Sequence, residues 1–291
     1  MKKKLNIALV FDENYVDYAC VTIKSLLKNV NSNSEITFLC INNDLSSVGI
    51  KKVEATLKNS KNEIIWINPD QKLTELSNLA VHLGRFPSIV WYKVFLPFIL
   101  PKEIDEVLFI DTDILINGDI SSFYHCTLVQ MGKNLIACAL DRSADTLAKV
   151  FNLDKYINSG VILYNCKRIR ANWNVDDYMK FFWNAYNSIN IIFPDQDIIN
   201  IMFDSSIYLF DTKYNFTKMV DKEYVVSNKT EVKESVIIHF VGGEKPWNID
   251  YCGPYAFKYL RYYYKYLSFR KIIKMLCIKI ILKIKTYLLC K

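Results

Sequence analysis

Two aspartates separated by one residue follow an apolar run near the middle of the chain. In "EVLFIDTDILING" the run ends at Asp111, and Asp113 comes two positions later. Carboxylates at positions i and i+2 can reach a single ion if the chain turns there, and hard divalent cations take oxygen ligands. The pair therefore predicts a metal site, although two aspartates after a strand are also typical of a turn.

A histidine far along the chain can complete such a site. His239 lies near the end of the apolar run in "IIHFVGGEKPWN" and is followed by two glycines, Gly242 and Gly243, and by Lys245. An imidazole nitrogen is a ligand that a manganese-type site tolerates, and lysine adds a point charge for a phosphate. Alone, His239 is better explained as a structural histidine, and only its combination with the two aspartates favours a ligand set.

The sequence lacks the glycine loops that usually bind phosphate. Neither G-x-G-x-x-G nor G-x-x-x-x-G-K-[ST] occurs, and there are only eight glycines. A nucleotide bound here would need another partner for its phosphates. A cation held by carboxylates is the usual substitute, because it bridges phosphate oxygens.

Strand-like and helix-like segments alternate, which predicts an α/β fold with a parallel sheet covered on both faces. Apolar runs predict strands at 5–11, 35–42, 63–68, 106–111, 135–141, 157–165 and 235–242. Helical spacing predicts helices at 15–30, 45–60, 87–101, 172–190 and 196–204. Ligands of such sheets gather beyond the carboxyl ends of the strands, and the residues at or near predicted ends are Asp12, Asp111, Asp141 and His239.

The net charge of +7 resides in the C-terminal segment. From 251 to 291 there are ten Lys or Arg and no acid, which leaves about −3 on the first 250 residues. A basic surface spread over the domain is absent, so nucleic acid is not an expected partner. With 51% hydrophobic and 23% charged residues, the composition is that of a globular protein.

Eight scattered cysteines form no C-x-x-C pair and are interpreted as thiols in a reducing compartment. The N-terminal "MKKKLNIALVFDENY" resembles a signal peptide, but its apolar run is short and is stopped by acids. The predicted location is the cytoplasm, at the inner face of the membrane.

Five stretches, in order, carry a family resemblance: "VFDENYVDYACVTIKSLL", "YKVFLPFILP" leading to "VLFIDTDILI", "YINSGVILYN", "FPDQDIIN" and "HFVGGEKPW". The chain resembles glycosyltransferase family 8, the retaining group that contains glycogenin and bacterial lipopolysaccharide galactosyl- and glucosyltransferases. The resemblance implies a GT-A-type, Rossmann-like nucleotide-sugar-binding fold with a mixed, mainly parallel sheet. It places the catalytic domain at 1–250.

The resemblance also implies roles at matching positions. Asp111, Asp113 and His239 match metal ligands, for Mn²⁺ or Mg²⁺. The expected donor-binding residues are Asp12, Asn14, Tyr15, Lys93, Asp111, Thr112, Asp113, Asn158, Ser159, Gly160, Gly242 and Lys245. The expected catalytic residues are Asp141, Asn158, Asp195 and Gln196.

Taken one at a time, several of these residues also have a purely structural explanation. Asp195 after Pro194 is compatible with a helix N-cap, the Asn158 segment with a turn, and Tyr15 with a core residue. Lys93 departs from the family, which more often has arginine there, so the bidentate fork is lost while the charge is kept.

The expected function is retaining transfer of galactose or glucose from a UDP-sugar to a hydroxyl of a glycan, such as lipopolysaccharide or another cell-surface glycan. Gln196 is a candidate for the group beneath the anomeric carbon, but an amide is a poor nucleophile, which favours front-face attack. Two alternatives remain: a non-catalytic protein that binds UDP-sugar or glycan, and a phosphatase of the D-x-D type.

The segment 251–291 mixes tyrosines, lysines and aliphatic residues, and is predicted to be a helical basic appendage. It never reaches the roughly 18 uncharged apolar residues of a spanning helix. Aromatic and basic residues together favour binding to an anionic membrane surface. A transferase at the membrane would suit a lipid-linked acceptor. The alternative is a basic helix packed on the domain.

Overall fold

The computed structural model describes residues 3–42, 44–58, 60–69, 88–141, 145–217, 222–249, 251 and 253–264, with 273, 276–278 and 280. The strands are β1 Lys3–Val10, β2 Ser34–Ile41, β3 Glu63–Ile67, β4 Glu106–Ile110, β5 Ile114–Ile116, β6 Ile136–Leu140, β7 Ile157–Asn165, β8 Ile207–Leu209 and β9 Ile237–His239. The α-helices are α1 Val16–Asn29, α2 Ser47–Glu54, α3 Leu96–Ile99, α4 Ser121–Gln130, α5 Asp145–Val150, α6 Cys166–Asn172, α7 Val175–Ser188, α8 Pro194–Phe203, α9 Lys222–Ser227, α10 Lys229–Glu234 and α11 Ala256–Tyr263.

Seven of these strands form one sheet, in the order β3-β2-β1-β4-β7-β6-β8. Strands β1 to β4 within it are mutually parallel, and β8 is parallel to β6. Strand β7 is antiparallel to both of its neighbours, β4 and β6. The prediction of a mixed, mainly parallel sheet is therefore confirmed.

Helices cover both faces of the sheet, because its central strands are apolar on both sides. One core layer contains Ile169, Phe182 and Ile198 from α6, α7 and α8. The opposite layer contains Ile23 and Phe123 from α1 and α4. Burial from both directions holds the strand ends rigidly, which is what a site built on those ends requires.

The prediction of a single helix over 87–101 is wrong. Residues 88–93 form a 3₁₀ helix, and α3 is a separate single turn. In a continuous helix the Lys93 carbonyl would accept from residue 97, but Pro97 has no N–H. The buried hydroxyl of Tyr164 donates to that carbonyl at 2.9 Å, and Tyr178 donates to the Val94 carbonyl at 2.8 Å.

Helix α8 confirms the helix predicted at 196–204 but begins two residues earlier, with Pro194 in its first turn. Proline suits this position because the first N–H groups of a helix have no partner within it. Phe193 occupies the N-cap, so the interpretation of Asp195 as the cap is wrong. The Asp195 side chain is instead directed to other partners, described below.

A small second sheet pairs β5 with β9 in antiparallel register, Ile114 opposite His239. The sequence analysis predicted β9 but neither the short strand β5 nor β8. The backbone N–H of Phe240 also donates to the Asp113 carbonyl at 3.1 Å. This pairing brings two segments more than a hundred residues apart into direct contact.

Helix α11 packs on the domain through Tyr259, Leu260 and Tyr263, which are buried in a cluster that includes Val21 and Leu115. Among the described residues, none of the helices combines the length and apolar character needed to cross a membrane. The prediction of a membrane-surface segment concerns 251–291, and beyond 264 it falls almost entirely outside the described residues.

Candidate active site

Polar residues from four strands meet at one edge of the main sheet. Asp12, Asp111 and Asp141 follow the carboxyl ends of β1, β4 and β6, as the sequence predicts. Asn158 and Ser159 lie at the start of β7 rather than its end. Because β7 runs antiparallel to its neighbours, its amino end reaches the same edge.

Asp111, Asp113 and His239 form one cluster, in which a ligand atom from each lies within 4.8 Å of the others. The Nε2 atom of His239 is 3.2 Å from Asp113 Oδ1 and 3.8 Å from Asp111 Oδ2. The β5–β9 register brings the imidazole to the second aspartate, and His239 is only 4% exposed. The structure thus brings together the three residues predicted from distant parts of the sequence.

This donor set fits a divalent cation. Two carboxylates and one imidazole nitrogen present lone pairs to one another, and such an arrangement repels itself unless a proton or a cation lies between the atoms. Oxygen ligands with one imidazole suit Mn²⁺, and carboxylates alone suit Mg²⁺. Asp111, Asp113 and His239 are therefore the residues that would hold the ion.

Two lysines balance the carboxylates. Lys93 Nζ lies 3.3 Å from Asp111 and 2.7 Å from Asp195, and Lys245 Nζ lies 2.5 Å from Asp113. Lys93 is 7% exposed and acts as a point charge between two carboxylates, a role for which the arginine fork is not needed.

The two aspartates of the cluster titrate differently. Burial raises the pKa of Asp111 to about 6, an effect that Lys93 opposes and Asp113 reinforces. Burial also disfavours the charge on Asp113, but His239 and Lys245 outweigh it and hold the pKa of that carboxyl well below its usual value. Asp111 is consequently the carboxylate of the pair whose ionised form is less stabilised by the surrounding residues.

A network of amides and carboxylates borders this cluster. The Oε1 atom of Gln196 accepts from the Ser159 N–H at 3.0 Å and from Asn158 Nδ2 at 3.1 Å. Its Nε2 donates to Asp141 Oδ2 at 3.2 Å, and Ser159 Oγ donates to Asp195 Oδ2 at 2.7 Å. All five residues are at most 9% exposed, and the amide of Gln196 is held at both ends.

Two cavities, of about 310 and 420 Å³, lie at this edge of the sheet. They share four lining residues, Lys93, Asp111, Asp113 and Asp195. The smaller is also lined by Phe11, Asp12, Tyr15, Ile89, Phe109 and Thr112. The larger is also lined by Asp141, Asn158, Ser159, Gln196, His239 and Gly242.

Of the site residues predicted after the first strand, Asp12 and Tyr15 line the smaller cavity, whereas Asn14 only contacts Asp12. Asp12 Oδ1 accepts from the backbone N–H groups of Asn14 and Tyr15 at 2.9 and 3.2 Å and so caps the short 3₁₀ helix. Tyr15 is 41% exposed and lines the smaller cavity, so the interpretation of it as a core residue is wrong. Asn14 is not among the residues that line either cavity, and its amide contacts Asp12 Oδ2 at 3.4 Å.

Gly160 supports the cluster rather than lining a cavity. Its carbonyl accepts from the Asp111 N–H at 2.8 Å, and its own N–H donates to Asn158 Oδ1 at 3.0 Å. A Cβ at this position would lie 2.5 Å from His239 Nδ1. Only glycine leaves room for the imidazole.

Gly160→Ala should therefore displace His239. Because overpacking a rigid core typically costs about 1–3 kcal/mol, we expect a loss of that size in the free energy of unfolding, measured by urea denaturation. Gly243→Ala is the matched control for stability, since a Cβ there meets nothing within 4 Å.

The double variant Gly160→Ala, His239→Ala separates this clash from general damage. Removing the imidazole vacates the space for the new methyl group, so the double variant should lose less stability than the sum of the two single losses. Additive losses would contradict the assignment of the clash to His239.

The sequence analysis missed Asn215, which is 2% exposed and touches His239. It follows the 3₁₀ helix Thr212–Tyr214, in a segment that the sequence analysis did not assign to any element. The only signal available was an asparagine next to a hydrophobic segment, which is too common to single out.

The sheet order, the crossover helices and the acidic cluster at the carboxyl ends of the strands define a GT-A-type α/β fold. The crystal structure of galactosyltransferase LgtC, solved with donor and acceptor sugar analogues, superposes with a TM-score of 0.74. The match covers 90% of this chain and 96% of that one, at 19% sequence identity.

A family model, glycosyl transferase family 8, matches residues 6–250. The chain belongs to glycosyltransferase family 8. It is 24% identical to general stress protein A of Bacillus subtilis, over 89% of this chain and 92% of that protein. It is also 24% identical to a lipopolysaccharide 1,2-glucosyltransferase of Escherichia coli, over 93% of this chain and 81% of that protein.

Proposed function

We propose that this protein is a retaining hexosyltransferase that moves galactose or glucose from a UDP-sugar to a hydroxyl of a glycan. The observation that carries the proposal is the position of Asp111 and Asp113, which line both cavities and lie beside His239. A cation there would neutralise a diphosphate lying between a nucleoside in one cavity and a sugar in the other. Family membership supports the transfer reaction itself.

The smaller cavity is the proposed nucleoside site. Its volume of about 310 Å³ and its mixed lining of Tyr15, Phe11 and Asp12 suit a flat base and a ribose. Thr112 completes the wall beside the aspartates. Asn14 acts here through Asp12, whose carboxylate it contacts.

The larger cavity is the proposed sugar site. Asp141, Asn158 and Gln196 present carboxylate and amide groups, which suit sugar hydroxyls, while Asp195 and Ser159 border the shared wall with Lys93. Buried polar groups that are left unpaired by a wrong hydroxyl are costly, so these residues are the proposed source of donor selectivity.

The phosphates are proposed to lie against the loop that follows β9. Gly242 has φ +73°, a conformation that favours glycine, and no atom lies within 4 Å of where a Cβ would be. This leaves the backbone open to a phosphate. Lys245 contributes positive charge, where preorganised electrostatics stabilise a departing anion.

The residues beneath the proposed sugar favour attack from the side of the leaving group. Gln196 has both ends of its amide engaged, and an amide is a poor nucleophile. The Asp195 carboxylate is bound by Lys93 at 2.7 Å and by Ser159 at 2.7 Å. We infer that the configuration is retained without a covalent intermediate on either side chain.

The proposed acceptor is lipopolysaccharide or another cell-surface glycan. Relatives named as lipopolysaccharide glucosyltransferases support this. The basic, aromatic segment 251–291 supports attachment to an anionic membrane surface at the cytoplasmic side. Sedimentation of the full chain, and of a variant that lacks residues 269–291, with anionic liposomes tests the proposed membrane attachment.

The function is tested by incubating the full chain with UDP-galactose or UDP-glucose and Mn²⁺, with EDTA as the control, and measuring UDP release with and without glycan acceptors. We expect metal-dependent UDP release with one of the two donors, and a product with the donor's anomeric configuration. Binding of UDP-sugar without release under any condition would favour the non-catalytic alternative, and an inverted product would contradict retention. The D-x-D phosphatase alternative is inconsistent with membership of the family.

A further inference from the structure

The second ring nitrogen of His239 faces two amide oxygens. Nδ1 lies 3.1 Å from Asn158 Oδ1 and 3.1 Å from Asn215 Oδ1. An oxygen can only accept, so Nδ1 must carry the hydrogen and donate it. In the neutral imidazole, the form that can bind a metal, the single proton is therefore on Nδ1, the lone pair is on Nε2, and the contact fixes the orientation of the ring.

Backbone donors make the orientation of both amides unambiguous. The Gly160 N–H can only donate, so the atom of Asn158 that lies 3.0 Å from it must be the oxygen Oδ1. The atom of Asn215 that lies 2.9 Å from this oxygen must in turn be the donor Nδ2. That leaves Asn215 Oδ1 as the atom facing His239.

The contact between Asn215 and His239 is buried, and backbone hydrogen bonds of the neighbouring residue hold Asn215 in place. Asn215 is 2% exposed and His239 is 4% exposed, so water does not compete for these contacts. The next residue, Phe216, donates its N–H to the Ile237 carbonyl at 2.9 Å and accepts from the His239 N–H at 3.0 Å. Asn215 is thus held in register with the strand that carries the histidine.

We propose that Asn215 is a positioning residue that holds the Nε2 lone pair of His239 towards Asp111 and Asp113. The inference rests on the proposed function, because it assumes that these three residues bind a divalent cation. A group that accepts a hydrogen bond from a ligating histidine orients the ring, and losing it typically lowers metal affinity by about 10–100-fold. Asn158 also faces Nδ1 of His239, but it binds Asp141 and Gln196 as well. Asn215 is therefore the partner that can be changed with less effect on the sugar cavity.

The test compares Mn²⁺ binding by the full-length wild type, Asn215→Leu and Asn215→Asp, using the electron paramagnetic resonance signal of free Mn²⁺. Asn215→Leu keeps the branched shape of the side chain but removes the acceptor, and we expect its Mn²⁺ affinity to fall by about tenfold or more. Asn215→Asp keeps an oxygen for Nδ1 but loses the Nδ2 donor to Asn158 Oδ1, so we expect its affinity to lie between those of the wild type and Asn215→Leu, since carboxylates are common partners of ligating histidines. Asn117→Leu is the control, because it removes a side-chain hydrogen bond to the Ser235 carbonyl without touching His239.

Thermal unfolding without metal monitors folding of each variant, and Asn215→Ala replaces Asn215→Leu if the latter does not fold. Equal affinity of the wild type and the apolar variant would overturn the inference alone. Equal losses in the apolar and the aspartate variants would assign Asn215 a packing role and overturn it as well. Absence of Mn²⁺ binding by the wild type would instead overturn the proposed metal site, and this inference with it.

Discussion

Asp113→Asn is expected to lower kcat/KM for sugar transfer by about 1,000-fold, which corresponds to about 4 kcal/mol of transition-state stabilisation. The substitution conserves volume but removes the charge that faces His239 at 3.2 Å and Lys245 at 2.5 Å. It weakens the cation site and also releases the lysine from its position beside that site. Activity measured across a Mn²⁺ titration should show both a lower maximum and a higher metal requirement.

The control for this substitution is Asp105→Asn. Asp105 forms an ion pair with Lys167 at 3.5 Å, in which both side chains are largely exposed. Such pairs contribute little, so its activity should match that of the wild type. If Asp113→Asn kept more than about a tenth of the activity, a difference of under 1.4 kcal/mol, the proposed cation site would be contradicted.

Lys93→Met should destabilise the protein by about 3 kcal/mol, because it leaves the buried Asp195 and the partly exposed Asp111 without their counter-charge. Lys93 Nζ lies 2.7 Å from Asp195, 3.3 Å from Asp111 and 3.4 Å from Ser159 Oγ. Burial lowers the pKa of Lys93, but the two carboxylates more than reverse this and raise it above the ordinary value, which keeps the lysine charged. Urea denaturation without metal measures the loss.

Mn²⁺ should restore part of that stability, since a cation beside Asp111 replaces part of the missing charge. Lys167→Met is the matched control, with an exposed partner, and should change the free energy of unfolding by no more than about 0.5 kcal/mol. A loss below about 1 kcal/mol for Lys93→Met would show that the carboxylates do not depend on this lysine.

The local elements of the fold were predictable where the pattern was simple. Apolar runs ended by polar residues identified β1, β2, β4 and β6, because a strand buried on both faces needs an uninterrupted hydrophobic sequence. The helix expected over 87–101 failed because apolar spacing does not report that Pro97 lacks a donor. Nor does it report that the distant Tyr164 and Tyr178 bind the carbonyls of Lys93 and Val94. A strand of three residues, such as β5, is too short to show a recognisable hydrophobic pattern in the sequence.

The site was predictable as a set of residue types but not as an arrangement. The pair Asp111 and Asp113 was visible because both carboxylates belong to one short segment. His239 was added to them from its residue type and then from family resemblance, but the contact itself was not predictable, since the pairing of β5 with β9 joins segments that no local pattern relates. Lys93 was recognised as a departure from the family, while its place between two carboxylates required coordinates.

The sequence by itself determined an α/β chain with acidic residues at the ends of buried strands, because hydrophobic periodicity and the charges that end it are local properties. Only the tertiary structure decided that β7 runs antiparallel and brings Asn158 to those ends, that Gly160 leaves room for the imidazole, and that Asn215 orients it. These are contacts between segments distant in sequence. Their geometry depends on strand direction, register and packing, which local composition does not encode.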